Sequence, residues 1–537
     1  PGSGREPGAA RPVTDAGRRG LRIALGLLFA GAIALRVAAA GRELWLDETH
    51  SALLAGMSLH ELIAFVKGDV HPPLYFLLLN AWRRIAGDSE AALRGFSILA
   101  SAGAGAVFLA AAIRIFGLAW SAVLAGALFL LSPVMVHYGV EVRMYALVSV
   151  WMALIALGIP LLSSANPREA RRGAVLVGAG AVLGFYTHYA VAFVLIGLLA
   201  FGVLEIARRR LPARPLVPAM VATALLCALW APVLLQQRAA KAELRRVEMA
   251  ARADPQSLSF GTDSNPARPL LGTGRALVEN AASVAGVFPA SRPVLLGVLA
   301  LPLVAAVVVG GLGVGRLPWV RLFAGVALAM LAGGLVTGIT ARRFLLLAVP
   351  FLALALAEAI SDLARRRARP ALALGLAIGA IYLAGAVRTA TIRSDRPTGA
   401  VVAWLAGHAK PGDLVVSEAL YYQVLLEYHA KQRGVRLPVA GFPTGIREWW
   451  SSQPFKGWGG PPITRAALES FIDSLPGRAP SGRVWLIQFE TRYYDPRREL
   501  LGALERSARV ERVTAIPAQG GQDLYEVELA GAGQAKR

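Results

Sequence analysis

The stretch LRIALGLLFAGAIALRVAAA at residues 21–40 decides the class of this protein. It is long and apolar enough to cross a lipid bilayer, which takes roughly 20 apolar residues in a helix. The same length criterion finds about eleven such stretches in the chain. They lie at 21–40, 92–113, 118–137, 144–163, 173–187, 189–206, 215–235, 293–314, 318–338, 344–361 and 370–388. The stretch 73–86 is too short to span, and we predict an interfacial or re-entrant helix there.

The composition of the chain favours a membrane protein and excludes several other classes. Hydrophobic residues make up 55% of the 537 residues and charged residues only 17%, whereas soluble domains are about a quarter charged. A single cysteine cannot form an intramolecular disulfide framework. The net charge of +22 lies in short clusters between apolar runs, not on one basic face. Nucleic acid is therefore not expected as a partner.

The arginine clusters predict how the chain is oriented in the membrane. Cytoplasmic loops are enriched in Lys and Arg. With a cytoplasmic N-terminus and an odd number of spans, the clusters at 18–22, 114, 168–172, 208–214, 316–321 and 365–369 all fall inside. We therefore predict a flexible cytoplasmic tail at 1–20 and a transmembrane domain at 21–390. The outer face carries the loops 41–91 and 236–292 and the segment 391–537.

The segment 391–537 differs in character from the rest of the chain. Strand-like runs, DLVVSEAL at 413–420 and RVWLIQFE at 483–490, alternate with helix-like runs at 398–409 and 464–475. Such alternation predicts a small α/β domain. The expected fold is thus an all-α polytopic membrane protein with about 11 transmembrane helices and a small α/β extracytoplasmic C-terminal domain.

The first outer loop opens with LWLDETHS at 44–51, which places two acids side by side at the membrane boundary. Carboxylates are costly there unless they take part in function or are paired. Asp47 or Glu48 could act as a general base that deprotonates an acceptor hydroxyl. In the alternative interpretation, Asp47 only caps the helix that follows.

A second polar group lies in SPVMVHYGVEVRMYALVS at 132–149, where Glu141, Arg143 and Tyr145 fall between two predicted spans. Arg143 on the outer side departs from the usual inside location of arginine, so it needs a partner. That partner is either Glu141 or an anionic ligand such as a phosphate.

Further polar residues are predicted on the same side of the membrane. In DVHPPLYF at 69–76, two prolines fix an extended turn that orients His71, although a purely structural turn would look the same. Short breaks between other predicted spans add four more residues: His188, Tyr189, Arg342 and Arg343. The sequence has no Walker loop, CxxC or HExxH motif, so ATP-driven transport and zinc hydrolysis have no support.

Five motifs of the sequence together resemble those of the membrane glycosyltransferases of the C superfamily (GT-C). They are LWLDETHS, DVHPPLYFLL, SPVMVHYGVEVRMYAL, YTHY and ARRFLLLAVPFLAL. The resemblance is to the branch that includes protein O-mannosyltransferases, aminoarabinose transferases of lipid A and bacterial dolichyl-phosphate-mannose mannosyltransferase-like proteins. It covers about 20–390 in topology, with its motifs mostly in the first two hundred residues.

The resemblance implies transfer of a sugar from a polyprenyl-phosphate donor to a glycan, lipid or protein acceptor. The active site would face the periplasm from the bacterial inner membrane. The family's catalytic acid corresponds to Asp47, with Glu48 beside it, and its phosphate-binding basic groups correspond to Arg143 and His71. The full set expected to bind the donor phosphate or the substrate is His71, Glu141, Arg143, Tyr145, His188, Tyr189, Arg342 and Arg343. The family divides on metal use, so a divalent cation (Mg²⁺ or Mn²⁺) bound by the two acids is one alternative. The aminoarabinose branch has lysine where this chain has His71, which leaves the sugar open.

The physical requirements of an inverting displacement agree with this interpretation. The acceptor hydroxyl needs a base, and the departing phosphate needs a cation that stabilises its growing charge. Two other functions remain open. A flippase or transporter for lipid-linked sugars would carry ionisable residues near the membrane midplane, and here Arg36 is the main one. A glycan polymerase or ligase would carry paired arginines in a large outer loop, as Arg245 and Arg246 are in 236–292.

Overall fold

The computed structural model describes residues 14–253, 257–259, 342–392, 398–454, 463–489, 497–513 and 522–529, with residues 456, 460, 461 and 495. Within these residues, five helices are long and apolar enough to cross a membrane. The number is six if the pair Ala213–Ala228 and Ala231–Val247, bent by 44°, forms one span. The predicted spans 293–314 and 318–338 lie outside the described residues. The count of about eleven spans therefore stays a prediction.

The described part of the membrane domain is mostly helical. In chain order its helices are α1 (Asp15–Ala39), α2 (Leu46–Ala55), α3 (Leu59–Gly68), α4 (Leu74–Ala86), α5 (Glu90–Phe116), α6 (Trp120–Leu130), α7 (Pro133–Tyr138), α8 (Tyr145–Leu162), α9 (Pro167–Thr187), α10 (Val191–Ala207), α11 (Ala213–Ala228), α12 (Ala231–Ala253), α13 (Arg342–Leu345), α14 (Val349–Arg366) and α15 (Ala368–Thr391). A 3₁₀ turn, Leu346–Ala348, joins α13 to α14.

Two predicted spans are broken in the structure. The stretch 118–137 consists of α6 and α7, which separate before Pro133. Proline lacks the N–H that would continue the α6 ladder, but it fits the first position of a new helix. The stretch 215–235 consists of α11 and α12, and α12 continues into the predicted outer loop. The short stretch at 73–86 forms α4, a helix of 13 residues.

Helices α8 and α9 pack closely because two glycines face each other. A Cβ on Gly158 would lie 2.8 Å from the carbonyl oxygen of Gly173, and a Cβ on Gly173 would lie 2.7 Å from that of Gly158. Without a hydrophobic driving force in lipid, helices associate largely through such close backbone packing. The last membrane helix, α15, closes the bundle by packing Ala386 and Ala390 into the cluster that contains Val136 of α7.

Arg36, the ionisable residue that stood out within the first predicted span, is fully buried in the last turn of α1. Its guanidinium donates to Ser101 Oγ at 2.6 Å and to the carbonyl oxygens of Ala32 and Leu130 at 2.9 and 3.1 Å. Leu130 ends α6, where helix carbonyls lack partners and favour a cation. Arg36 therefore ties α1 and α5 to the break between α6 and α7.

The C-terminal part contains a five-stranded mixed sheet with the strand order β3-β2-β5-β7-β6. Its elements and a short outlying strand pair are β1 (Ser257–Ser259), α16 (Thr398–His408), β2 (Leu414–Ser417), α17 (Tyr422–Gln432), β3 (Val439–Gly441), α18 (Ile446–Ser452), β4 (Ile463–Thr464), α19 (Arg465–Arg478), β5 (Arg483–Phe489), α20 (Glu499–Ser507), β6 (Ala508–Arg512) and β7 (Gln522–Leu529). Strand β2 runs parallel to β3 and β5, whereas β7 is antiparallel to β5 and β6.

The central strand β5 explains why this part of the chain folds as layers. Alternate side chains enter two cores, with Val484 and Leu486 in one and Trp485 and Ile487 in the other. A strand with both faces covered has apolar residues at consecutive positions, as RVWLIQFE does. The α/β character predicted for this segment is thus present in the structure.

We expect Gly173→Ala to lower the melting temperature in detergent. The added methyl would meet the backbone of Gly158 and of Leu162 at 2.7 and 2.8 Å, and overpacking of this kind costs about 1–3 kcal/mol. The control is Gly26→Ala in α1, where nothing lies within 4 Å of the added Cβ. Equal melting temperatures for the two variants would contradict the close contact of α8 and α9.

Candidate active site

The segment between α7 and α8 is not helical, and buried side chains from other segments hold its backbone. Three hydrogen bonds do so: Arg94 Nη1 to Val140 O (3.1 Å), Ser97 Oγ to Glu141 O (2.5 Å) and Val142 N to Glu48 Oε1 (2.8 Å). Buried backbone groups need such partners where no helix ladder supplies them. The segment that carries Arg143 is thus held in one position.

Glu48 forms a buried ion pair with Arg94. Their side chains are both 2% exposed, and Arg94 Nη2 lies 3.0 Å from Glu48 Oε2. The same oxygen accepts from Trp45 N at 3.2 Å, so both carboxylate oxygens of Glu48 have donors. Burial raises the pKa of Glu48 above its ordinary value, although Arg94 opposes the shift. Glu48 therefore connects α2 to α5 and to the segment before α8.

Asp47 faces a different guanidinium. Its Oδ2 accepts from Arg343 Nη1 at 3.2 Å. The Asp47 side chain is 11% exposed and that of Arg343 is 38% exposed, so the pair lies at the rim of the buried region. Adjacent residues on a helix point in different directions, which separates the two acids. Asp47 is the more accessible of the two carboxylates.

Asp69, His71 and Arg143 form a chain of hydrogen bonds. His71 Nδ1 lies 3.0 Å from Asp69 Oδ2, and Arg143 Nη2 lies 3.2 Å from His71 Nε2. A guanidinium only donates, so His71 Nε2 accepts the hydrogen bond from Arg143. His71 Nδ1 then carries the ring proton and donates a hydrogen bond to Asp69. Burial alone would raise the pKa of Asp69, but the His71 imidazole holds it below its ordinary value. The structure thus brings together His71 and Arg143, as the resemblance implied.

Glu141 is not the partner of Arg143, which corrects one of the two alternatives from the sequence. Arg143 Nη1 donates to the carbonyl oxygen of Asp47 and to Ser51 Oγ, both at 3.3 Å. Glu141 Oε1 instead lies 3.0 Å from His137 Nε2. The short sequence separation was misleading because the segment is not helical, and the two side chains have different neighbours.

Aromatic side chains line the region next to Arg343. The ring of Tyr145 lies 4.8 Å from that of Tyr138 and 6.2 Å from that of His188. His188 in turn meets the ring of Phe344 at 5.4 Å. Burial lowers the pKa of His188 to about 3, so its imidazole is neutral at physiological pH. Tyr145 and His188 therefore lie together, as predicted.

The two other predicted residues are Tyr189 and Arg342. The Tyr189 hydroxyl donates to Gln237 at 2.8 Å and accepts from Trp230 at 2.7 Å. Arg342 precedes Arg343 in α13. The contacts of Tyr189 do not connect it to Asp47.

A divalent cation shared by Asp47 and Glu48 stays a prediction. Asp47 and Glu48 each face a separate arginine. Within the described residues, no group of three or more His, Cys, Asp or Glu side chains is arranged to hold a metal ion.

Two residues of this region were missed from the sequence. Arg94 lies inside the predicted span 92–113, and a charge within an apolar span indicates a functional or structural partner. Arg42 follows the first span on the predicted outer side. Like Arg143, it therefore departs from the usual inside location of arginine. In the structure Arg42 Nη1 donates to His137 Nδ1 at 3.2 Å.

Comparisons with known proteins concern the family and the fold. Residues 70–235 match the family model described as dolichyl-phosphate-mannose-protein mannosyltransferase. No curated protein matches the chain. The solved structure of ArnT from Cupriavidus metallidurans in the apo state is similar with a TM-score of 0.57 at 12% identity. The similarity covers 93% of this chain and 97% of that chain.

The same ArnT bound to undecaprenyl phosphate is similar with a TM-score of 0.55 at 13% identity, over 94% of this chain and 98% of that chain. The archaeal oligosaccharyltransferase AglB from Archaeoglobus fulgidus, in complex with an inhibitory peptide and a dolichol-phosphate, has a TM-score of 0.47 at 13% identity. The similarity to AglB covers 93% of this chain and 74% of that chain. A similarity this low carries no argument about function. At these identities the likeness to ArnT concerns the fold.

We expect Glu48→Gln to lower the melting temperature strongly, because Arg94 would keep a buried charge without its counterion. Removing one member of a buried pair costs about 3–5 kcal/mol. The matched control is Glu169→Gln, which breaks an exposed pair whose side chains are 39% and 45% exposed and which is worth about 0–1 kcal/mol. If both variants melt alike in detergent, Arg94 does not depend on Glu48.

Proposed function

We propose that this multi-pass membrane protein of the GT-C glycosyltransferase superfamily transfers a sugar from a polyprenyl-phosphate donor to an acceptor hydroxyl. The observation that carries the proposal is the pair of Asp47 and Arg343 at the rim of a buried polar region. The match to the mannosyltransferase family supports the transferase class. The arginine pattern supports a location of the site on the periplasmic face of a bacterial inner membrane.

Asp47 is assigned as the general base. Its carboxylate is at the rim, whereas both oxygens of Glu48 are occupied by buried donors. A base must come within hydrogen-bond reach of the hydroxyl that it deprotonates, which a carboxylate at the rim can do. Glu48 then supports α2 and has no direct part in proton transfer.

Arg343 is assigned to the donor phosphate, a role that the resemblance gave to Arg143 and His71. Arg143 is buried, and its Nη groups donate to Asp47, Ser51 and His71. Arg343 is the more exposed guanidinium and lies over the ring of Phe344, which in turn contacts the ring of His188. Arg143 contributes fixed positive charge beside the site, and His71 and Asp69 orient it.

The transfer step follows from this arrangement. A donor phosphate competes with Asp47 for Arg343, which releases the Asp47 carboxylate. The acceptor oxygen attacks the anomeric carbon from the face opposite the phosphate, and its proton passes to Asp47. The bond between the anomeric carbon and the phosphate oxygen breaks, and its electron pair leaves with the phosphate, whose added charge Arg343 stabilises. The product has inverted configuration.

Tyr145 and His188 are assigned to donor binding because their rings lead to Phe344, over which Arg343 lies. The bonds of Glu141 and Tyr189 are to His137 and Gln237, so neither is assigned a role in transfer. The acceptor, whether glycan, lipid or protein, and a requirement for Mg²⁺ or Mn²⁺ are not assigned by these contacts.

We expect Asp47→Asn to reduce transfer by about 10²–10⁴-fold, the usual cost of losing a positioned base. The assay supplies a panel of undecaprenyl-phosphate hexoses and pentoses to membranes that contain the protein and measures free undecaprenyl phosphate by mass spectrometry. Asp15→Asn, at the exposed start of α1, is the control. Translocation of intact sugar-lipid without release of undecaprenyl phosphate would identify a flippase and overturn the proposal.

We expect Arg343→Ala to weaken binding of undecaprenyl phosphate by about 10–100-fold, since a hydrogen bond to a charged group is worth about 1.5–3 kcal/mol. Arg343→Lys should restore part of the affinity, because an ammonium cannot form two parallel bonds to a phosphate. Native mass spectrometry measures the affinity, and melting temperature serves as a folding control. Unchanged affinity in folded Arg343→Ala would remove Arg343 from the phosphate site.

A further inference from the structure

The C-terminal part contacts the chain immediately before α2. Gly399 N donates to Glu43 Oε2 at 2.9 Å, and Arg433 Nη2 lies 3.1 Å from Glu43 Oε1. Both oxygens of Glu43 are thus bound by residues of α16 and of the chain just after α17. Glu43 is four residues before Asp47, in a segment with no regular structure.

A second contact holds the next residue, Leu44. His429 is fully buried, and its Nε2 lies 3.1 Å from the carbonyl oxygen of Leu44. A carbonyl only accepts, so Nε2 carries the proton. Burial lowers the pKa of His429, which favours this neutral form. The two residues Glu43 and Leu44 are therefore bound through both side chain and backbone.

The fit around Glu43 is too close for a side chain at position 399. A Cβ on Gly399 would overlap the guanidinium of Arg433 and the carboxylate of Glu43. An alanine at this position would therefore displace the Arg433 guanidinium and the Glu43 carboxylate from this contact. By contrast, Gly407 lies in the same helix, and nothing would come within 4 Å of its Cβ.

The C-terminal part also contacts the segment that precedes His71. Lys456 N donates to the carbonyl oxygen of Gly68, the last residue of α3, at 2.8 Å. The ring of Trp450 lies 5.4 Å from that of His50 in α2 and 5.0 Å from that of Phe65 in α3. Two of the segments that carry proposed site residues, α2 and the chain that leads to His71, are thus in contact with the C-terminal part.

We infer that the C-terminal domain is part of the catalytic assembly, because Gly399, His429 and Arg433 hold Glu43 and Leu44 and thereby position the Asp47 carboxylate. The inference rests on the proposed role of Asp47 as the base. From the other side, Arg94 donates to the carbonyl oxygen of Glu43 at 3.2 Å and to Glu48 at 3.0 Å. Asp47 lies between these two fixed points.

The position of Asp47 depends on this support because α2 is a short helix of 10 residues. Its first turn contains Asp47, and at its start the Trp45 side chain forms no capping hydrogen bond, whereas the Trp45 backbone N–H donates to Glu48. The ends of short helices fray unless other contacts hold them. A displacement of about 1 Å at a reacting group can cost on the order of 10²-fold in rate. Four residues therefore position the Asp47 carboxylate: Gly399, Glu43, His429 and Arg433.

The test compares Gly399→Ala with Gly407→Ala in the full-length protein. We expect Gly399→Ala to lower kcat for undecaprenyl phosphate release by about tenfold or more, with binding of undecaprenyl phosphate unchanged. Glu43→Gln should lower kcat in the same way, and Gly407→Ala should match the unsubstituted protein. A purely structural role would lower the melting temperature and leave kcat per folded molecule unchanged, which would overturn the inference.

Hydrogen exchange at residues 44–50 tests the same contact without any need for activity. These amides should exchange faster in Gly399→Ala and at the original rate in Gly407→Ala. Original exchange rates in Gly399→Ala overturn the inference, whatever the activity. If the unsubstituted protein releases no undecaprenyl phosphate, the proposed function fails, and faster exchange in Gly399→Ala still supports the role of the C-terminal domain in holding α2.

Discussion

The guanidinium of Arg94 joins the chain segments from which the candidate site is built. It donates to the carbonyl oxygens of Glu43 and Val140 and to the carboxylate of Glu48. A planar group with five donors can bind several acceptors at once, which a lysine ammonium on a flexible stem does less well. The buried charge is balanced by Glu48, so the same contact that orders the backbone also removes one of the two adjacent acids from chemistry. The accessible carboxylate of Asp47 is a consequence of this arrangement.

The parts of the structure that follow from local physics could be predicted from the sequence. Apolar length identified the long helices, and alternation of strand and helix patterns identified the α/β character of the C-terminal part. The departure of Arg143 from the usual inside location indicated that it needs a partner, and its guanidinium donates to Asp47 O, Ser51 and His71. The break at Pro133 was missed because the apolar run continues through it, and hydropathy does not register a missing N–H.

The roles of Asp47 and Glu48 could not be separated from the sequence, because the difference between them is tertiary. Their partners are arginines in distant parts of the chain, and only the packing of α5 and α13 shows which acid is buried. The Arg143 partner was a similar case. Glu141 was one of two alternatives because it is near in sequence, whereas His71 reaches Arg143 from another loop. The C-terminal domain could be recognised as a fold, but its bonds to Glu43 could not.

The packing of α15 against α7 bears on how the protein is made. All proposed site residues up to Arg343 leave the ribosome before Ala386 and Ala390, which complete the cluster around Val136. From Asp47 to Ala390, translation at 5–20 residues per second takes about 17–70 s. During that interval the early helices are inserted in the membrane while the helix leading to the 139–144 segment lacks its last neighbour. The 139–144 segment therefore reaches its final packing only after α15 has been made. A chain that stops before α15 leaves the cluster around Val136 incomplete.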